Sequence, residues 1–452
     1  MKRIMLIQPP SNIMANRMES KPALPPYGLA CMAGLLRQHG HEVQIYDMLT
    51  EGYDKEDYSH YYGKFIRYGD SRIDLVRRLA TFQPDIVGVS CMMSLRHFEA
   101  CDVVRWVKEY NNKIITIMGG NHPSTMPTMV MEDCDRSLDY IVSGEGEYPM
   151  LNLANYNTPL RTVRTDMDAM PMAAHYLLPL DKYAEIWHKT NYHFYDVPGR
   201  YICTSTSRGC VNKCHHCPHE AVFGRGWRPR QIKQIEAEVR YAVEVLGVKE
   251  VQFHEYNGQV DPKFMGEVAA MMKQFGIRWG YPIGVWVKLL NKKLLEDMYA
   301  AGMDYINLAI ESPAKMVLDT MPGKDVELPY VDKIVKMCRD IGYYSNAFFM
   351  LGFPDQTLTD MKLTIDYAIG CDIDTAAFFI AQPLPGTKMW NTVDFIDGFH
   401  PMMLRYGKCN IKSKLWTADQ VEELRHEGRK DFLKSRNQPG TTLRGGNFVQ
   451  MV

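Results

Sequence analysis

The chain has 452 residues, of which 46% are apolar, so it is long enough for two or three domains with large buried cores. Its 52 basic and 53 acidic residues give a formal net charge of −1, which excludes the strong basic field of proteins that bind nucleic acid or anionic membranes. The first apolar run ends before Pro9, and no later run reaches the roughly 18 residues of a membrane span. We therefore expect a cytoplasmic protein without a signal peptide or a transmembrane segment.

Strand and helix patterns alternate over residues 1–150, which we take as the first domain. Five short apolar runs have the character of strands buried on both faces: RIMLIQ, EVQIYD, DIVGVSC, IITIMGG and DYIVSGEGE. Segments with helical spacing separate most of them. The alternation predicts a doubly wound, Rossmann-like α/β domain with about five parallel strands.

Four strands of this domain end in small or polar residues, in the segments QPPS, SCMMS, GGNHPS and SGEGE. Ligands of doubly wound folds bind beyond the carboxyl ends of the strands, so these segments predict a ligand crevice. No GxGxxG follows the first strand, and no GxxxxGK[ST] occurs in the chain. A dinucleotide or a P-loop nucleotide is therefore disfavoured as the ligand.

The rest of the chain divides into three parts. Residues 151–195 are rich in Met and Pro and predict an irregular linker packed across two domains. Residues 196–390 contain six strand–helix repeats, which predict a partial (βα)6 barrel rather than the closed eight-fold form. Residues 391–452 predict a small, separate C-terminal region.

Three of the eleven cysteines, Cys210, Cys214 and Cys217, lie within eight positions, whereas the others are isolated. This pattern indicates buried thiols in a reducing compartment and one metal site, not a disulfide framework. Three thiolates can hold three irons of a four-iron cluster and leave the fourth iron open to another ligand. The loop also follows the first strand of the barrel, where active sites of such barrels lie. A zinc site completed by His215 or His216 is the alternative.

The segment RGCVNKCHHCP matches the CxxxCxxC signature of the radical S-adenosylmethionine enzymes. The first domain resembles the cobalamin-binding domain that precedes the barrel in one large subfamily, through PPYGLACMAGLLRQHGHEV and IMGGNHPSTMP. The segments INLAIESP and FMLGFPDQT continue the resemblance in the barrel. The chain is therefore similar to the cobalamin-dependent members of this family, and in particular to their class B-type methyltransferases.

The resemblance implies a [4Fe-4S] cluster, S-adenosylmethionine and cobalamin as cofactors, and a 5′-deoxyadenosyl radical as the species that abstracts hydrogen. It implies methylation of an unactivated carbon of a small molecule, with an electron donor such as flavodoxin or ferredoxin and no nucleic-acid partner. Two alternatives stay open: a radical cyclase, rearrangement or dehydration enzyme that uses cobalamin differently or not at all, and a metal-binding scaffold without activity.

The resemblance and the strand-end positions assign the site residues. The cluster ligands are Cys210, Cys214 and Cys217. The residues expected to contact S-adenosylmethionine are His216, Glu255, Tyr256, Asn257, Glu311, Ser312 and Gly352. Those expected to contact cobalamin are Ser90, Met92, Gly119, Gly120, Asn121, His122, Gly144 and Glu145. The family's DxHxxG motif is absent, so we expect no protein histidine on cobalt. Arg208 and Lys213 are either charges that stabilise the cluster or ordinary solvated charges.

Overall fold

The computed structural model describes residues 1–15, 21–58, 65–159, 164–189, 196–255, 260–321 and 327–436. Two α/β units follow each other along the chain and share one continuous apolar core. Within these ranges, none of the helices has both the length and the apolar character that a membrane crossing demands.

The first unit contains eight strands: β1 (Arg3–Gln8), β2 (Ser11–Met14), β3 (Glu42–Asp47), β4 (Glu56–Asp57), β5 (Phe65–Tyr68), β6 (Ile86–Ser90), β7 (Ile115–Gly119) and β8 (Tyr140–Ile141). Its helices are α1 (Tyr27–Gln38), α2 (Met48–Glu51), α3 (Arg72–Phe82), α4 (His97–Tyr110), α5 (Asn121–Thr125), α6 (Pro127–Asp133) and α7 (Glu147–Tyr156). Five strands form a parallel sheet in the order β3-β1-β6-β7-β8. This doubly wound order confirms the predicted fold class and puts its switch point between β1 and β6.

Side chains on the two faces of this sheet pack into two different helix layers. Ile4 and Leu6 of β1 join the core with α1 and α7, whereas Met5 and Ile7 join the core with α3 and α4. All four side chains are fully buried. Burial on both faces explains why these strands are continuous apolar runs in the sequence.

A small antiparallel sheet, β2-β5-β4, was not predicted from the sequence. Pro9 and Pro10 end strand β1. The chain then turns away from the main sheet, and Ser11–Met14 pairs with Phe65–Tyr68. The strands are four residues or fewer and carry polar side chains, so they lack the alternation that identifies a strand.

The linker is not irregular throughout, because it contains the helix α8 (Leu180–Lys189). The hydroxyl of Tyr183 donates a hydrogen bond to Asp47 of the first unit, at 2.5 Å. The ring of Trp187 packs edge-on against Tyr201, at the start of the second unit, with centroids 5.1 Å apart. The helix therefore contacts both units.

The second unit contains β9 (Tyr201–Thr204), β10 (Ser207–Arg208), β11 (Arg228–Pro229), β12 (Glu250–Phe253), β13 (Arg278–Gly280), β14 (Tyr305–Glu311), β15 (Tyr344–Leu351) and β16 (Thr375–Ile380). Its helices are α9 (His219–Phe223), α10 (Ile232–Glu244), α11 (Pro262–Met272), α12 (Lys292–Ala300), α13 (Lys315–Leu318), α14 (Leu328–Ile341) and α15 (Leu358–Gly370). The parallel sheets β9-β12-β13 and β14-β15-β16 meet through a bridge between Val285 and Leu308. The result is the six-stranded partial barrel that the repeats predicted.

The C-terminal helix α16 (Ala418–Arg436) packs on α15 and β16 and so closes the edge of the barrel. The guanidinium of Arg436 donates to the last carbonyl groups of α15, including that of Ile369 at 3.2 Å. A cation at this position satisfies the helix carbonyls and their dipole. The described part of the C-terminal region is thus integral to the barrel, and residues 437–452 lie outside the described ranges.

Candidate active site

The cysteine loop begins and ends in the two-stranded antiparallel ribbon of β10 and β11. Gly209, directly before the first cysteine, has a φ of +85°, and a Cβ there would lie 2.1 Å from the carbonyl oxygen of Gly226. Only glycine fits this position. The neighbouring backbone closes the loop, because the N–H of Gly226 donates to the carbonyl of Cys210 at 3.3 Å.

Two backbone hydrogen bonds hold His215, which lies between Cys214 and Cys217, and so fix the cysteine loop against the opposite side of the barrel. The N–H of His215 donates to the carbonyl of Thr320 at 2.9 Å, and its own carbonyl accepts from the N–H of Met389 at 2.8 Å. Cys210 is buried and its Sγ accepts the N–H of Asn212 at 3.4 Å, while Cys214 and Cys217 are partly exposed. Three soft sulfur ligands on one loop, with an N–H already aimed at a sulfur, fit an iron–sulfur cluster.

Three of the cysteines outside the loop lie in surroundings that do not favour metal binding. Burial raises the pKa of the Cys338 thiol to about 12 and that of the Cys371 and Cys409 thiols to about 11. Such groups stay protonated and are poor metal ligands. In the ranges that the structure describes, no three side chains of His, Cys, Asp or Glu already have the spacing of ligands around a single metal ion.

Glu255, at the end of β12, is engaged with the chain that leads into the cysteine loop. Its carboxylate accepts the N–H and hydroxyl of Thr206 at 2.7 and 2.6 Å, and the N–H and hydroxyl of Ser207 at 2.6 and 3.1 Å. Burial raises the pKa of Glu255 to about 7, against these hydrogen bonds, which favour the charged form. Glu255 therefore fixes the turn before the cluster ligands. Tyr256 and Asn257, expected beside it, lie outside the described residues.

The end of β14 is distorted at Glu311, which has a φ of +70° at a register shift against β15. Its side chain is buried. The hydroxyl of Ser312 lies 2.8 Å from that of Thr364 and accepts the N–H of Ala314 at 3.1 Å. A non-glycine residue held at positive φ is strained, and such strain is concentrated at functional sites.

His216 lies against the segment that follows β15. Its ring meets the ring of Phe353 edge-on, with centroids 5.7 Å apart. Gly352, the preceding residue, has a φ of +77°, and a Cβ there would come within 3.0 Å of Val421. Two residues expected to contact S-adenosylmethionine, distant in sequence, are therefore neighbours at one edge of the cysteine loop.

The expected cobalamin residues gather at the carboxyl edge of β6 and β7. Ser90 pairs with Gly119, and Gly120, with a φ of +115°, lies so close to Cys91 that a Cβ would be 2.6 Å from the Cys91 carbonyl oxygen. Asn121 begins α5 directly after it. Met92 is 46% exposed at this edge, beside Met93 at 42%. Exposed apolar side chains beside close backbone fit the face of a large macrocycle such as a corrin.

His122 is buried within the domain and both of its ring nitrogens are engaged. Nδ1 lies 2.9 Å from the hydroxyl of Ser94, and Nε2 lies 3.0 Å from Nδ1 of His97, whose Nε2 is 2.7 Å from Asp133. Burial and the nearby His97 and His400 lower the pKa of His122 to about 3. Its side chain therefore has no nitrogen left for cobalt, and any cofactor contact at this position falls to the backbone.

Gly144 and Glu145 have different environments. The N–H of Gly144 donates to the hydroxyl of Ser124 at 2.9 Å, which joins its loop to the cobalamin edge. Glu145 is buried and points toward the barrel, where its carboxylate binds the guanidinium groups of Arg208 and Arg228. Cations of the cysteine ribbon thus bind both oxygens of the Glu145 carboxylate, which leaves the backbone at this position for the predicted contact with cobalamin. Arg208 is buried, and its second partner is Glu147.

The two halves of the site meet at α5 and α9. The helix α5, which carries the cobalamin edge, packs against α9, which begins two residues after Cys217. Gly386, in the loop after β16, fits where they meet, since a Cβ there would lie 2.7 Å from Thr125 and 3.4 Å from Ala221. The cysteine loop and the cobalamin edge are therefore neighbours in the structure.

Comparison with known proteins agrees with this architecture. The family model for the B12 binding domain matches residues 15–154, and that for the Radical SAM superfamily matches residues 204–368. The chain is 28% identical to an uncharacterized methyltransferase of Pyrococcus horikoshii, over 86% of this chain and 82% of that protein. It is 25% identical to the cytidylyl-2-hydroxyethylphosphonate methyltransferase of Streptomyces wedmorensis, over 94% of this chain and 89% of that one.

A solved structure shares the fold. The radical S-adenosylmethionine methyltransferase TsrM from Kitasatospora setae, with cobalamin and a [4Fe-4S] cluster bound, superposes with a TM-score of 0.68 and 15% identity, over 96% of this chain and 89% of that chain. Residues 15–154 thus match a B12 binding domain and residues 204–368 a Radical SAM domain, which is the pair of domains that the sequence predicted. The cofactors of the chain are cobalamin, a [4Fe-4S] cluster and S-adenosylmethionine, as the sequence predicted.

Proposed function

We propose that the enzyme methylates an unactivated carbon of a small molecule that binds in the crevice between the cobalamin edge and the cysteine loop. The packing of α5 against α9 supports this proposal, because it brings the cobalamin edge and the cysteine loop next to each other. When bound, the cluster and S-adenosylmethionine supply hydrogen abstraction, and cobalamin supplies the methyl group. A substrate bound between the two sites can react at both of them without dissociating from the enzyme.

The residues of this chain hold and orient these components. Cys210, Cys214 and Cys217 are the proposed cluster ligands, on a loop whose entry Glu255 fixes. The partly exposed ring of His216, which Phe353 supports from below, is the proposed stacking surface for the adenine of S-adenosylmethionine, and Glu311 and Ser312, at the end of the neighbouring strand β14, are the proposed contacts for its polar groups. At the cobalamin edge we propose Ser90, Met92, Gly119, Gly120, Asn121, Gly144 and the backbone of His122 as contacts. Residues that exclude water and hold the reactants in alignment lower the activation free energy of the reaction.

A small-molecule substrate is supported by one relative, whose name gives cytidylyl-2-hydroxyethylphosphonate as the molecule that it methylates. An external one-electron donor of the flavodoxin or ferredoxin type is supported by the partial exposure of Cys214 and Cys217 and by the exposed Lys213 between them and Cys210. These features give an acidic donor access to the cluster. A reducing, cytoplasmic location is supported by the eleven cysteines, all of which are thiols.

Isotope transfer tests the proposal. The anaerobically reconstituted enzyme is incubated with S-adenosylmethionine that carries a trideuterated methyl group, a chemical reductant and a low-molecular-weight extract. We expect a small molecule that gains a trideuteromethyl group on carbon, together with 5′-deoxyadenosine, in reactions with cobalamin and not without it. The Cys214→Ala variant is the matched control and yields neither product. Deuterium in a product that forms equally well without cobalamin contradicts the proposal.

A further inference from the structure

The side chain of Asn212 is buried in the middle of the cysteine loop, between Cys210 and Cys214. Only 6% of Asn212 is exposed, and Cys210 is buried as well. Val211 and Lys213, the residues on either side of Asn212, are exposed. This alternation puts the side chain of Asn212 on the same side of the chain as that of Cys210, the first cysteine of the loop.

The two N–H donors of Asn212 have different environments. Its backbone N–H donates to Cys210 Sγ at 3.4 Å. Its side-chain Nδ2 is buried and, among the residues that the structure describes, has no hydrogen-bond partner. A buried N–H group without an acceptor destabilises a fold, and most such groups in native proteins are hydrogen-bonded. The amide of Asn212 therefore indicates an acceptor other than the described part of the chain.

An iron–sulfur cluster on this loop would supply the acceptor. Besides the cysteine thiolates, a four-iron cluster contains inorganic sulfides, and hydrogen bonds to these sulfurs adjust its reduction potential. The two cations of the same segment are directed elsewhere. Arg208 is held by the carboxylates of two glutamates, and Lys213 is exposed. The amide of Asn212 is thus a neutral donor that is buried beside the sulfur of Cys210.

We propose that Asn212 Nδ2 donates a hydrogen bond to a sulfur of the [4Fe-4S] cluster and thereby raises the reduction potential of the cluster. The proposal rests on the proposed function, since it requires that the three cysteines of the loop hold the cluster. Reduction adds a negative charge, so an N–H donor stabilises the reduced cluster more than the oxidised one. The hydrogen bond therefore favours the reduction that precedes cleavage of S-adenosylmethionine.

Pulsed electron paramagnetic resonance of the reduced cluster tests the hydrogen bond without turnover. The full chain is made with asparagine that carries 15N in the side-chain amide alone, so the backbone N–H of Asn212 does not contribute. It is reconstituted anaerobically with iron and sulfide and reduced with dithionite in the absence of S-adenosylmethionine. We expect a 15N hyperfine coupling to the cluster in the wild type and its loss in Asn212→Leu. The control Val211→Ala, at an exposed position of the same loop, retains the coupling.

The reduction potential of the same samples is the second measurement. For Asn212→Leu we expect the equilibrium constant of one-electron reduction to fall by about tenfold, which is a potential more negative by about 59 mV. The potential of Asn212→Asp falls at least as far, because the carboxylate both removes the donor and adds a negative charge beside the cluster. Val211→Ala keeps the wild-type potential.

The outcomes separate this proposal from the proposed function. Absence of the 15N coupling from wild-type protein with an intact cluster overturns the role of Asn212, and this result does not depend on whether any variant folds. A coupling or a wild-type potential that persists in Asn212→Leu overturns it as well. Wild-type protein that assembles no four-iron cluster would instead refute the cysteine ligands on which the proposed function depends.

Discussion

Arg208 and Glu145 join the two halves of the site through a buried ion pair, with Arg208 Nη1 2.9 Å from Glu145 Oε2. Arg208 lies two residues before Cys210, the first cysteine of the loop. Glu145 lies between β8, the last strand of the cobalamin sheet, and the helix α7. Glu147 and Arg228 extend the pair into a network whose side chains are largely buried. The position of the cysteine ribbon relative to the cobalamin edge is therefore set by charges that water does not screen.

Removal of Arg208 tests this network. Arg208→Met keeps the approximate length of the side chain but leaves the buried Glu147 carboxylate without its cation and Glu145 with Arg228 alone. We expect a loss of about 3–5 kcal/mol in the free energy of unfolding, measured by guanidinium denaturation. Lys336→Met is the control, because Lys336 pairs with Asp340 on an exposed helix face, and its denaturation midpoint stays at the wild-type value. A midpoint for Arg208→Met equal to that of the control would show that the network contributes nothing.

The buried carboxyls of Glu250 and Glu255 predict how stability depends on pH. Burial raises the pKa of each from an ordinary 4.5 to about 7, so the folded protein binds these protons more tightly than the unfolded chain. Their contribution is fully present below pH 4.5 and is lost as the pH rises through 7, by at most about 1.4 kcal/mol per pH unit for each group. Glu255→Gln keeps the acceptor for Thr206 and Ser207 and removes its part of the slope. Unfolding free energies at pH 5 and pH 8 check this, and an unchanged difference between them contradicts it.

The environment of His122 predicts the spectrum of bound cobalamin. Both nitrogens of this ring are engaged with Ser94 and His97, so we expect no protein histidine on cobalt. Paramagnetic resonance of the cob(II)alamin form, with protein labelled at histidine with 15N, then matches that of unlabelled protein. A change in axial hyperfine splitting on labelling would identify a histidine ligand and refute the prediction.

The contact between His216 and Phe353 predicts a role in cosubstrate affinity. His216→Ala removes one wall of the proposed adenine surface and weakens S-adenosylmethionine binding by about tenfold, whereas His216→Phe retains a flat ring and stays near wild type. Isothermal titration of the unreduced holoenzyme measures both. Equal affinities of the two variants for S-adenosylmethionine would show that the ring of His216 does not contribute to its binding.

The sequence predicted elements that depend on local pattern, and it missed features that depend on partners distant in the chain. The strands of the parallel sheets follow from apolar runs such as RIMLIQ, which burial on two faces requires. The ion pair of Glu145 could not be predicted, because a glutamate at a strand end looks the same in the sequence whether it meets a ligand or the guanidinium of Arg208, 63 residues away. No sequence pattern shows that Arg228 joins the same network.

The central claim is that Cys210, Cys214 and Cys217 hold the cluster that cleaves S-adenosylmethionine. The direct measurement is the rate of 5′-deoxyadenosine formation by anaerobically reconstituted protein with a chemical reductant, for the alanine variant of each cysteine beside Cys338→Ala. Cys338 is fully buried in α14 and serves packing, so its variant keeps the activity. We predict that each variant of the loop loses cleavage by at least a hundredfold, together with its iron and labile sulfide. Cleavage at the wild-type rate in any one of the three loop variants would contradict the account.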